Sequence, residues 1–155
     1  MTDRSSFEEQ LALHGKIIYK NTGISMRPLI RQGRDAMIIE RHEGRLKKYD
    51  CPLYLRHDGS YVLHRVLKVR EGDYVICGDN CIHREYGITD DQIIGVLTGV
   101  IRGGKTITVN NPWYKLYYHL WCDFFYIRIA ILYVKFGAAK VLRSVFGRRG
   151  GNGRA

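Results

Sequence analysis

A chain of 155 residues has room for one folded domain and an appended element. Its 45% hydrophobic and 26% charged content excludes an intrinsically disordered protein. A formal charge of +10 points toward an acidic partner, either nucleic acid or an anionic membrane surface.

The first sixteen residues carry Asp3, Arg4, Glu8 and Glu9, which suit neither a signal peptide nor a membrane anchor. Ser6 and Glu9 form a capping box that opens a short helix to about His14, and Gly15 ends it. "KIIYKNT" then reads as a first strand. The segment "TGISMRPLI", residues 22–30, follows and has the small and turn-forming residues of a sharp bend.

Beyond it, "AMIIER", "CPLYLRH", "YVLHRVLKV", "DYVICG", "QIIGVLTGVIR" and "KTITVN" are short runs rich in β-branched and aromatic residues. "HDGS", "EGD" and "RGGK" supply the turns. This spacing predicts a mainly β fold, a compact β-barrel-like core. At "NNPW" the character changes: Asn111 caps a helix with Pro112 in its first turn. From Trp113 to about Phe146 the chain is aromatic and aliphatic, then ends in a basic tail without acids.

The expected organisation is an N-terminal helix over 1–17, a β domain over 18–110, a helical segment over 111–147 and a disordered basic tail over 148–155. No run reaches the ~20 apolar residues that span a bilayer. The nearest, 113–136, is broken by Lys115, His119, Asp123, Arg128 and Lys135. An aromatic helix with a basic end suits a membrane interface. Packing against the β domain is the plainer alternative. The expected location is therefore the cytoplasm or the inner face of a membrane. The four cysteines, Cys51, Cys77, Cys81 and Cys122, lack a disulfide-scaffold spacing and read as reduced thiols.

Serine chemistry requires a nucleophile, a base within hydrogen-bond reach and a group that orients the base. Ser25 in "GISMRP", His64 in "YVLHRVLKV" and the acids of "CGDNCIHREYGITDDQIIG" supply those types in order. Singly, each also has a structural reading: a turn serine, a strand histidine, a turn aspartate. "GISMRPLI", "YVLHRVLKV", "CGDN" and "DQIIGVLTGV" together resemble the successive boxes of the signal peptidase I and LexA-like serine peptidases. The likeness covers about residues 18–102. A histidine in "LHRV", where the bacterial enzymes have lysine, resembles the endoplasmic-reticulum and archaeal branch.

The resemblance implies a serine endopeptidase with Ser25 as nucleophile and His64 as base, acting on a leader peptide or partner protein. It implies the Ser25 main-chain N–H as oxyanion donor, Gly23 as the residue that lets the backbone bend, and Met26 as a wall of the site. The acid is open between Asp79, Asp90 and Glu85, in that order. The family's transmembrane anchor and its DNA-binding domain are both missing from the 24 residues before Ser25.

Cys77, Cys81 and His83 form a C-x3-C-x-H cluster, but no second ligand pair completes a zinc site, so neither metal nor cofactor is expected. Two other functions are weighed. One is a non-catalytic module that holds an extended peptide by strand addition. The other is a basic β domain for nucleic acid, which the spread of charges disfavours.

Overall fold

The structure, a computed structural model, describes residues 7–20 and 22–147, the last seven as backbone only. The Ser6 cap and the 148–155 tail lie outside the described residues. Helix α1 (Phe7–His14) leads through Gly15, at φ +70°, into β1 (Lys16–Lys20). The Ser25 segment follows as turns, and then come β2 (Ala36–Glu40), β3 (Pro52–Leu55), β4 (Tyr61–Leu63), β5 (Arg65–Val69), β6 (Tyr74–Cys77) and β7 (Glu85–Ile88). Strands β8 (Ile93–Arg102) and β9 (Lys105–Thr108) close the β region, and α2 (Pro112–Asp123) and α3 (Phe125–Gly147) follow.

The strands form two antiparallel sheets, the larger curled into a half-barrel. In it the order is β1-β2-β8-β3-β4, with β9 also on the long β8; the smaller is β5-β6-β7. Ten residues give β8 enough length to pair with β3 at its start and with β2 and β9 toward its end. Gly103 and Gly104 both take positive φ, the mirror-image turn that matches strand twist. The cap at Asn111 is formed as its sequence suggests, its side chain accepting the Trp113 N–H at 2.9 Å.

Two apolar clusters fill the interior. One gathers Leu11, Ile17, Met37, Ile39, Leu97 and Val100 beneath α1, and it also takes in Met26 and Ile30 from the Ser25 segment. The other joins the sheets through Tyr54, Val66, Tyr74, Ile76 and Val96. Each fully buried side chain of this size contributes about 1.5–3 kcal/mol, so the Ser25 turn is anchored by its neighbours at 26 and 30.

Two local expectations change. "YVLHRVLKV" is two strands, not one: β4 belongs to the large sheet, β5 to the small, and His64 is the single residue between them. The stretch "EYGI", not among the runs read as strands, is the edge strand β7, with Gly87 at φ +75° breaking its alternation. Both differences bear on the site.

Candidate active site

Ser25 sits in a tight turn. The Arg27 N–H bonds the Ile24 carbonyl at 3.2 Å, and the Ile30 N–H bonds the Met26 carbonyl at 2.9 Å. Gly23 and Ile24 are exposed and Ser25 is half-buried, while Met26 is 1% exposed. The Met26 side chain therefore belongs to the core and does not wall the site. Beyond the turn, fully buried Asp35 accepts the Arg31 N–H at 2.9 Å and pairs with Arg102, which also donates to the Leu29 carbonyl. The segment is pinned at both ends.

His64 occupies the corner where the chain leaves one sheet for the other, and it is 5% exposed. Its Nδ1 lies 2.9 Å from Glu85 Oε1 and 3.3 Å from the Tyr54 hydroxyl. That hydroxyl donates to Glu85 Oε2 at 2.9 Å, so its one proton is committed and it can only accept from Nδ1. Nδ1 therefore carries the hydrogen, and in the neutral ring Nε2 holds a lone pair. Arg56 grips both carboxylate oxygens of Glu85. Burial alone would raise the Glu85 pKa. The hydrogen bonds from His64, Arg56 and Tyr54 outweigh it and hold the carboxyl at about 2. For His64, burial lowers the pKa, and hydrogen bonds with Cys81 and Glu85 bring it above the ordinary imidazole value.

Nε2 faces the Gly78–Cys81 loop. A methyl group placed on Gly78 would lie 2.9 Å from His64 Nε2, 2.8 Å from the Ser25 carbonyl oxygen and 2.7 Å from Cys81 Sγ. All three groups border one point, which only glycine leaves open. The loop is joined to the turn by the Asn80 N–H, which donates to the Ser25 carbonyl at 2.7 Å.

Of the three candidate acids, Glu85 is the one on His64. Asp79 is fully buried, but its two oxygens take Arg65 Nε at 2.9 Å and Nη2 at 2.8 Å, and it accepts the Tyr117 hydroxyl at 2.9 Å. Asp90 lies on the surface with Arg45 and Tyr74. Asp79, expected first, and Asp90, expected second, are bonded to other partners, and Glu85, expected last, is the carboxylate on His64. Asp79 is the counter-ion of Arg65, the residue that follows His64, whose guanidinium is also flanked by the rings of Tyr114, Tyr117 and Tyr118 at 5.6–5.9 Å.

The helices close over this ion pair and hold the loop from behind. Trp121 Nε1 donates to the Asp79 carbonyl at 2.7 Å, Arg128 Nη2 to the Cys81 carbonyl at 3.0 Å, and Lys135 Nζ to Asn80 Oδ1 at 2.9 Å. Arg128 is 1% exposed.

The cysteine cluster does not converge. The Cys77 thiol is buried against the carbonyls of Gly78, Cys81 and His83, the Cys81 thiol turns to His64, and the His83 ring is exposed. Among the described residues no three His, Cys, Asp or Glu side chains are placed to hold a metal ion.

Sequence reasoning missed Tyr54 and Arg56, weighed Cys81 only as a metal ligand, and did not place it beside His64. The first two had a signal: in "PLYLR" they are two residues apart, hence on one face of a strand. An open cavity of about 630 Å³ lies between α1 and the end of β3 and shares Arg56 with the site.

No family model, curated protein or solved structure matches this chain.

Proposed function

We propose that the protein is a serine endopeptidase in which Ser25 is the nucleophile, His64 the general base and Glu85 the acid that orients it. The observation that carries this reading is the two-sided setting of His64: Glu85 on Nδ1, and the Ser25 turn bordering the same point as Nε2. A half-buried serine, a nearly buried imidazole and an ionised carboxylate have the roles that acyl transfer needs.

In the reaction His64 Nε2 takes the Ser25 hydroxyl proton as Oγ attacks the peptide carbonyl. Glu85 holds Nδ1–H and stabilises the imidazolium, while Arg56 and Tyr54 keep Glu85 ionised and in place. The Ser25 N–H is the donor for the developing oxyanion. His64 then returns the proton to the departing amine, and water clears the acyl-enzyme by the reverse route. The substrate is a peptide segment in extended form. Strand β1, which ends before the Ser25 turn, and β4, which ends at His64, are both edge strands with one side open to a further strand.

A second reading uses Cys81. Its thiol borders Nε2 directly, so the same His64–Glu85 pair would serve a cysteine nucleophile. Two experiments separate the readings. A fluorophosphonate probe labels Ser25 and fails on Ser25→Ala and His64→Ala if serine is the nucleophile. Comparing protein N-termini in cells that carry wild type, Ser25→Ala or Cys81→Ala then identifies the substrate. A mature N-terminus lost only in Cys81→Ala transfers the role to the thiol. Unchanged N-termini in all three, with the protein well expressed, leave a peptide-binding module on this fold.

A further inference from the structure

The helices that hold the loop from behind turn a different surface outward. In α3 Arg128 and Leu132 are buried and Ile129 is half-buried, at the spacing of one helix face, and exposed Lys135 on that side reaches the loop through its ammonium. The opposite face carries Tyr126, Ile127, Ile131, Tyr133 and Val134, each at least 50% exposed. From Phe124 to Ala139 the only charged side chains are Arg128 and Lys135, and both are bonded to the loop. The outward face is therefore apolar and uncharged for about four turns. The strands and turns expose such residues singly or, at Ile18 and Tyr19, as a pair; here five are contiguous, which marks an interaction surface.

Charge decides what covers it. After Asp123 the sequence has no acidic residue, whereas it has Arg128, Lys135, Lys140, Arg143, Arg148, Arg149 and Arg154. A second copy seated on this face would bring two such sets together without a counter-charge. A layer that is apolar beneath an anionic surface meets both demands. The helix does not cross it: among the described residues no helix is long and apolar enough to span a membrane.

We propose that the outward face of α3 seats the protein on an anionic lipid surface, with the helix axis in the plane of the interface. Ile127, Ile131 and Val134 enter the acyl boundary, and the cations beyond Lys135 meet the headgroups. This seat is independent of the peptidase chemistry and is tested on the full chain carrying Ser25→Ala.

The test is flotation with vesicles of phosphatidylglycerol and phosphatidylcholine, against phosphatidylcholine alone. Binding is expected to the anionic vesicles, to weaken with added salt, and to fall by roughly tenfold or more in Ile131→Glu/Val134→Glu. Those two side chains are exposed, so far-UV circular dichroism should not change. If that pair does misfold, Ile127→Ser/Ile131→Ser removes apolar area without adding charge and must also lose binding. Failure to float with anionic vesicles overturns the proposal, as does equal binding by folded variants. Sedimentation of a dimer that the same substitutions dissolve, without flotation, assigns the face to a second copy instead.

Discussion

The Asn80 N–H reaches the Ser25 carbonyl at 2.7 Å, so the turn that carries the proposed nucleophile and the loop that faces the base are one unit. Gly78 sits at the centre of that unit. Gly78→Ala puts a methyl group under 3.0 Å from Ser25 O, His64 Nε2 and Cys81 Sγ, two of which are fixed by backbone or packing. It is expected to cost about 1–3 kcal/mol of stability and to remove most activity. Thermal unfolding and turnover on one preparation measure both.

Glu85 and Asp79 are expected to fail in different ways. Glu85→Gln keeps the shape but cannot stabilise an imidazolium, so kcat should fall by roughly 10²–10⁴-fold, and losing its charge beside Arg56 and His64 should lower Tm as well. Asp79→Ala leaves Arg65 charged and fully buried without its partner, at a cost of about 3–5 kcal/mol. Equilibrium unfolding in urea should show that loss. If Asp79→Ala proves stable while Glu85→Gln unfolds, the assignment of the two acids is reversed.

The pH dependence follows from His64. Its pKa is raised, so the protonated form persists above the ordinary pH of about 6.5. Stability from its pairing with Glu85 is full below that pH and is lost as pH rises through the raised value. Activity runs the other way, because the base must be neutral. The kcat/KM profile should rise along a limb lying above pH 6.5, and Glu85→Gln should move that limb to lower pH, since burial is then opposed by Cys81 without Glu85. At the acid end Glu85, held at about 2, contributes stability that fades as pH falls from about 4.5 toward 2.

Cys81 gives a chemical handle. It is the one half-buried cysteine, whereas Cys51, Cys77 and Cys122 are buried. Burial pushes the thiols of Cys51 and Cys122 up to about 12, which keeps them unreactive at neutral pH. Iodoacetamide should therefore modify Cys81 first, and an adduct beside Nε2 should stop turnover. Cys81→Ala should retain activity and lose the sensitivity, as read by mass spectrometry alongside rate. Labelling elsewhere at the same speed contradicts this placement of the thiol.

Much of the fold was legible because period and punctuation agreed. The β-branched runs, the paired glycines at 103 and 104 and the Asn111-Pro112 start each act locally, and apart from the break at His64 and the added β7 the elements formed where they were expected. Ser25 and His64 stood out for the same reason, as residue types in an order that chemistry uses. The acid did not, because its choice depends on who else claims each carboxylate. Nothing local says that Arg65 takes both oxygens of Asp79, or that β7 forms around Gly87 and delivers Glu85 to His64. Likewise the sheet change at His64 is set by pairing partners far along the chain, which a continuous run of strand formers conceals.

The tyrosines of α2 lie over the Arg65–Asp79 pair, one position from His64, and this changes what the helical segment is for. A version cut after β9 would uncover an ion pair that is fully dry in the intact chain and would free the loop from Trp121, Arg128 and Lys135. The shortest form of the chain that keeps all these contacts extends into α3. To make the molecule less apolar, the outward surface of these helices must be repainted and the helices kept.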